Sequence, residues 1–163
     1  MAHKPHQIAL LAATGSLILL SGAWFFQALG YAPCTMCIWQ RYPHGIAIGI
    51  GLLVLVGLRY RAVYLLGAAA AAATAGLGVY HTGVERDWWE GPTTCSGGGG
   101  DMANMTADQL LSTTEPLNMV LCDEVVWEFL TLSMASWNAI LSLVITALWV
   151  GAIVAAGRSR TAV

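Results

Sequence analysis

Charged residues are scarce in this sequence: they make up 10% of its 163 residues, against about 25% in an ordinary soluble domain. The chain therefore lacks the polar surface that a water-exposed globule needs. Internal repeats are missing as well. So is any basic stretch suited to phosphate, since the longest polar segment is acidic, and nucleic acid is excluded as a partner. A small-x-small cleavage site is not found ahead of Cys34. The apolar run that begins at Ile8 is too long for the core of a signal peptide, and Tyr31-Ala32-Pro33-Cys34 makes a poor lipoprotein site, so the first helix is expected to be retained. The net charge of −2 says less than its distribution.

What is present is hydrophobic, at 57% of residues. Ile8 to Leu29 is 22 residues without an ionisable side chain, and at ~1.5 Å per residue it reaches roughly 33 Å, enough for a bilayer core. His44 to Leu58 is shorter and spans only if its helix starts near Met36. Val63 to Tyr80 and Ala139 to Ala156 are 18 residues each, the former containing the run Ala68 to Ala73. None of the four alternates wet and dry faces. The expected fold is all-α: an integral membrane four-helix bundle in one domain over 1–163. Its helices are expected near 8–29, 36–58, 63–80 and 138–156, with outer loops near 30–35 and 81–137.

Orientation follows from the basic residues. Lys4, Arg59, Arg61, Arg158 and Arg160 fall on one side of that topology and only Arg41 and Arg86 on the other. The positive-inside rule puts both termini in the cytoplasm. All nine Asp and Glu residues lie between His81 and Trp137, on the outer side, and so do all four cysteines. That is the compartment in which disulfides persist. Trp39, Trp88, Trp89, Trp127 and Trp137 lie near the outer ends, as an aromatic belt would, although packing between helices explains any single one equally well. The loop from Thr82 to Ser136 is 55 residues long, a length uncommon without function. Ser96-Gly97-Gly98-Gly99-Gly100 reads as a flexible hinge beside Cys95. Thr106-Ala107-Asp108-Gln109 reads as a capping box that opens a short amphipathic helix through Leu110 and Leu111, lying on the membrane surface.

The chemistry starts at Cys34-Thr35-Met36-Cys37. This spacing lets two sulfurs meet across one helical turn, where free backbone amides favour a thiolate. Arg41 is four residues past Cys37, on the same face. An arginine at a membrane boundary is costly without a task or a water-facing position. Three tasks suit it: stabilising a Cys37 thiolate, holding a quinone oxygen, or snorkelling to lipid phosphate. Four cysteines permit three pairings and also a zinc site with four thiolate ligands. Cys95 and Cys122 are 27 positions apart rather than a second C-x-x-C, and the outer compartment disfavours reduced thiols, so no metal is expected. Haem attachment needs His after the second cysteine, and Ile38 stands there. A Cys95–Cys122 disulfide would close a loop of about 28 residues, worth roughly 3–4 kcal/mol in the chain-entropy model. It reads either as a staple or as an exchangeable bond.

The stretch Pro33-Cys34-Thr35-Met36-Cys37-Ile38-Trp39-Gln40-Arg41-Tyr42-Pro43-His44 resembles the active-site segment of the disulfide bond formation protein DsbB family, whose pattern reads C-x-x-C-x-x-Q/E-R. Gly78-Val79-Tyr80-His81 through Trp88 to Pro92-Thr93-Thr94-Cys95 resembles the approach to that family's first loop cysteine. Cys122-Asp123-Glu124, Trp127 and Leu132-Ser133-Met134-Ala135-Ser136-Trp137-Asn138 resemble the second loop cysteine and the start of the last helix. The likeness runs through nearly the whole chain; the glycine run after Cys95 is the part without a match.

The resemblance implies a bacterial inner-membrane enzyme that reoxidises a periplasmic DsbA-like thiol oxidase and passes the electrons to ubiquinone or menaquinone. It implies that Cys95 and Cys122 take electrons from the partner and that Cys34 and Cys37 pass them on. Cys37, Arg41 and His81 are then the residues beside the quinone. A histidine at a helix end is more often structural, so His81 alone would be a weak sign. Access beside the glycine run favours Cys95 over Cys122 as the atom the partner attacks. Two other classes carry four helices and two cysteine pairs. In a vitamin K epoxide reductase-like enzyme the C-x-x-C lies near the chain's end, whereas here it comes first. A non-enzymatic membrane protein with two disulfide staples would show no turnover with quinone.

Overall fold

The computed structural model describes residues 4–92 and 121–161. Four helices account for most of them: α1 (Pro5–Ala28), α2 (Thr35–Leu55), α3 (Arg61–Glu85) and α4 (Met134–Thr161). Pro5 opens α1 at a position where its missing N–H costs nothing. The first two helices stop in the same way. Gly30 (φ +100°) and Gly57 (φ +104°) take the left-handed conformation just past the ends of α1 and α2. Around them Tyr31 N–H donates to the Phe26 carbonyl at 3.2 Å and Leu58 N–H to the Leu53 carbonyl at 2.9 Å. These glycine-closed ends reverse the chain within a few residues.

The helices pack in a ring. α1 lies against α2 and α4, α3 lies against the same two, and the α1–α3 diagonal touches little. Small residues make the α3–α4 contact close. A Cβ on Gly67 would sit 2.6 Å from the Trp149 ring, and one on Gly78 would sit 2.9 Å from the Ala139 backbone nitrogen. One apolar core runs through Ala9, Ala12, Val54, Tyr64, Ala71 and Trp149. Large apolar side chains such as Ile18, Phe25, Leu66 and Leu143 face outward.

Three of these helices, α1, α3 and α4, are long and apolar enough to cross a membrane. α2 starts at Thr35, so its 21 residues reach about 31 Å, but Gln40, Arg41 and His44 dilute the apolar character of its first half.

The C-terminal end of α3 and the N-terminal end of α4 lie outside the expected spans. α3 continues to Glu85 because that carboxylate is turned inward, 7% exposed, and accepts a hydrogen bond from the Ser133 hydroxyl. His81 is thus inside the helix rather than in a loop. α4 begins at Met134 because Ser133 caps it, its Oγ accepting the Ser136 N–H at 3.2 Å. Just before α4, strands β1 (Glu128–Phe129) and β2 (Leu132–Ser133) form an antiparallel hairpin. Its turn residues, Leu130 and Thr131, both have positive φ, a conformation unfavourable for such side chains. Arg86 holds the Thr131 carbonyl at 2.9 Å and Trp137 Nε1 holds the Phe129 carbonyl at 3.1 Å. The glycine run, Cys95 and the short helix expected after Thr106 lie outside the described residues.

Candidate functional site

Cys34 is the N-cap of α2. Its sulfur accepts the backbone N–H of Cys37 at 3.1 Å, doing with sulfur what a serine cap does with oxygen. The C-x-x-C spacing therefore fixes both cysteines on the first turn. Their sulfurs are 2.7 Å apart, about 0.7 Å longer than a disulfide bond, and both are free thiols. Contact with the Cys37 sulfur, and then burial, push the Cys34 thiol well above the usual thiol range. Cys34 is the member of the pair that keeps its proton.

The second cysteine region comes to the first. Cys122, 1% exposed and engaged in a disulfide, packs in one buried cluster with Cys34, Met36 and Val84, with Cys37 against it. Sequence spacing places Cys122 beside the fourth helix; the structure packs it against the α2 N-terminus and the end of α3.

His81 projects from α3 into this cluster. Its Nε2 lies 3.5 Å from Cys34 Sγ and 3.9 Å from Glu85 Oε1, and the ring also meets the Cys122 backbone. Its Nδ1 lies 2.8 Å from Gln40 Nε2. From Gln40 a buried hydrogen-bonded chain runs inward. Asn138 Nδ2 donates to Gln40 Oε1 at 2.6 Å, and His44 Nε2 lies 2.9 Å from Asn138 Oδ1. Thr74 braces the chain, its hydroxyl donating to the Gln40 carbonyl at 3.2 Å and lying 3.3 Å from Asn138 Nδ2. Cys34, Cys37 and His81 also bring their ligand atoms within 4.8 Å of one another, a set with the spacing of a metal site.

Beside the cysteines opens a cavity of about 500 Å³, with Ile18, Leu19, Phe26 and Leu141 among its apolar walls and Cys34, Cys37, Arg41, His44 and His81 at its polar side. Arg41 reaches back to α1, donating from Nη1 to Gln27 Oε1 at 2.6 Å and from Nη2 to the Ala23 carbonyl at 3.4 Å. Two polar atoms around this cavity are buried without a partner among the described residues: Arg41 Nε and His44 Nδ1.

The structure thus brings four of the expected site residues, Cys34, Cys37, Arg41 and His81, to one cavity, with Cys122 packed against the cysteine pair. Sequence reading gave no role to Gln40, which stands at the Q/E position of the quoted pattern, nor to His44, Thr74 or Asn138. The available signal was polarity: each is a hydrogen-bonding residue inside an otherwise apolar helix, which is costly in a membrane unless partnered.

These features define a class, a membrane-helix protein with a redox-capable dithiol capping one helix at the mouth of an apolar cavity. The family model "Disulfide bond formation protein DsbB" matches residues 5–152, and the chain belongs to that family. It is 32% identical over 138 residues to disulfide bond formation protein B of Shewanella sp. (strain MR-4), covering 80% of this chain and 77% of the relative. It is 33% identical over 156 residues to that of Verminephrobacter eiseniae (strain EF01-2), covering 86% and 83%. It is 29% identical over 159 residues to that of Acidovorax sp. (strain JS42), covering 93% and 88%. No solved structure matches the chain.

Proposed function

We propose that this protein reoxidises a periplasmic DsbA-type thiol oxidase and delivers the electrons to a membrane quinone, ubiquinone or menaquinone. The observation that carries this reading is the convergence of the free Cys34–Cys37 pair, the disulfide-bonded Cys122 and the apolar cavity at one place. In this reading the chain is a single four-helix bundle in the bacterial inner membrane. Both termini are cytoplasmic, and the cysteines and the long loop are periplasmic.

The steps follow from thiol–disulfide exchange. A partner thiolate attacks Cys95 of a Cys95–Cys122 disulfide, and the partner's second thiol resolves the mixed bond. The partner leaves oxidised, and both loop cysteines are left reduced. The Cys122 thiolate then attacks Cys34 of a Cys34–Cys37 disulfide and expels Cys37. Cys95 attacks Cys122, and the electron pair departs on Cys34. The loop pair is oxidised again and the inner pair holds two electrons. Burial of Cys122 against Cys34 favours the inner exchange over direct attack on Cys122 by a protein partner.

An apolar ring carrying an oxygen acceptor suits the cavity, which has apolar walls and one orphaned donor at its edge. Arg41 Nε offers a donor, and His44 Nδ1 is unpartnered. Arg41, Cys37 and His81 are the residues that would hold such a ring. A quinone there supplies an acceptor for two electrons and two protons, matching what Cys34 and Cys37 release on closing their disulfide. The protein contributes position, a cation beside the reacting sulfur and exclusion of bulk water.

The test is turnover by the purified protein with a reduced DsbA-type oxidase and a soluble ubiquinone analogue. Quinone-dependent oxidation of the partner, lost in Cys37→Ser, is expected. Oxidation that proceeds equally without quinone contradicts the reading.

A further inference from the structure

Backbone carbonyls fix the direction of the hydrogen bonds that run from His44 to His81. A carbonyl oxygen can only accept. Gln40 presents one side-chain atom 3.3 Å from the Met36 carbonyl oxygen, so that atom is the amide nitrogen. The same nitrogen faces His81 Nδ1 at 2.8 Å, which obliges Nδ1 to accept. A neutral His81 then carries its proton on Nε2.

Thr74 gives the same polarity from the other side. Its hydroxyl uses its single proton on the Gln40 carbonyl. The Asn138 atom 3.3 Å away must therefore be a donor, Nδ2, which also donates to Gln40 Oε1. Asn138 Oδ1 is left to accept from His44 Nε2. The surroundings of His81 Nε2 agree. It faces the Cys34 sulfur at 3.5 Å and the Glu85 carboxylate at 3.9 Å. A carboxylate oxygen accepts, so an N–H there can donate to Glu85 where a bare nitrogen would face a second lone pair.

We infer that Gln40, pinned by the Met36 carbonyl and Asn138, is a positioning residue that holds His81 as an Nε2–H donor aimed at the Cys34 sulfur. The inference rests on the reading of Cys34 as a redox cysteine. When the Cys34–Cys122 bond breaks and a Cys95–Cys122 bond forms, the electron pair leaves on Cys34. Two N–H groups then face that sulfur, the Cys37 backbone amide at 3.1 Å and the His81 ring. Both stabilise the departing thiolate, and a better-stabilised thiolate leaves faster. The same polarity sets aside the metal reading of Cys34, Cys37 and His81, because a protonated Nε2 donates and does not ligate.

The full-length protein, labelled with ¹⁵N in its histidine rings and held reduced in lipid nanodiscs, reports the tautomer directly. His81 is identified by the signal missing in His81→Asn. The expected spectrum shows His81 protonated on Nε2 and bare on Nδ1. In Gln40→Leu both tautomers are expected. Alkylation of Cys34, located by mass spectrometry, should then need a pH about 0.3 unit higher for an equal mixture, a roughly twofold slowing at fixed pH. The other titrating groups around Cys34 are Cys37, His81 and, through His81, Glu85, with Arg41 as the nearby fixed cation. A wild-type His81 protonated on Nδ1 overturns the inference, and so does a Gln40→Leu protein with the wild-type tautomer and the wild-type Cys34 profile. Quinone turnover is read separately. Its absence from the wild-type protein would defeat the proposed function, while the ring spectrum decides the role of Gln40.

Discussion

The Cys34 sulfur accepts the backbone N–H of Cys37 at 3.1 Å, so the first cysteine of the pair caps the helix that carries the second. The two thiols are unequal, and the cap is not the cause, since its N–H favours a Cys34 thiolate. Cys34 is pressed against the Cys37 sulfur and buried, which raises it well above the usual thiol range. A raised thiol stays protonated as pH climbs through the ordinary range, and only the thiolate is nucleophilic. Brief iodoacetamide treatment of the reduced protein at neutral pH should therefore modify Cys37 before Cys34. Cys34 labelling should appear only toward alkaline pH. Mass spectrometry of the tryptic peptides checks this, and equal labelling of both sulfurs at neutral pH would contradict the asymmetry.

Arg41 ties α2 to α1 through Gln27 and Ala23 while leaving its Nε unpartnered beside the cavity. Arg41→Ala should weaken quinone use by about ten- to hundred-fold, the equivalent of roughly 1.5–3 kcal/mol for one charge-assisted contact. Arg41→Lys should recover only part, since lysine lacks the planar fork. Steady-state kinetics against quinone concentration measure both. Unchanged kinetics in a folded Arg41→Ala protein would assign the side chain to lipid contact and to the α1–α2 tie.

Cys122 is 1% exposed, which bears on where electrons enter. A protein partner cannot reach a sulfur packed beneath Cys34 and Val84, so the mixed disulfide with the partner should form on Cys95. Asp123 and Glu124 disfavour a Cys122 thiolate as leaving group, but access outweighs that penalty. In Cys122→Ser, a partner without its resolving cysteine should accumulate covalently on Cys95 on a non-reducing gel. Ready trapping through Cys122 in Cys95→Ser would reverse the assigned order.

The helices were legible because apolar stretches without charge have few other solutions, and the C-x-x-C with its following arginine marked the end of α2 that borders the cavity. The ends of α3 and α4 were not. Glu85 reads as a loop residue until Ser133 is seen to hold it inward, and Ser133 reads as one more polar loop position until it caps α4. The hairpin escaped because its turn is Leu130-Thr131, without the glycine or asparagine that usually signals positive φ. The chain through Gln40 and Asn138 joins residues 98 positions apart. Such a contact belongs to tertiary packing, and the sequence offers only the hint of polar side chains within apolar helices.

The most direct test of the account uses a protein in which Cys95 and Cys122 are both serine, so that Cys34 and Cys37 are the only sulfhydryls. Reduced, freed of oxygen and mixed with an excess of a soluble ubiquinone analogue, this protein should reduce one quinone per chain. The loss of quinone absorbance should keep pace with closure of the Cys34–Cys37 disulfide. A dithiol that stays open in the presence of quinone, in a protein that remains folded, would contradict the claim that this pair hands electrons to the membrane acceptor.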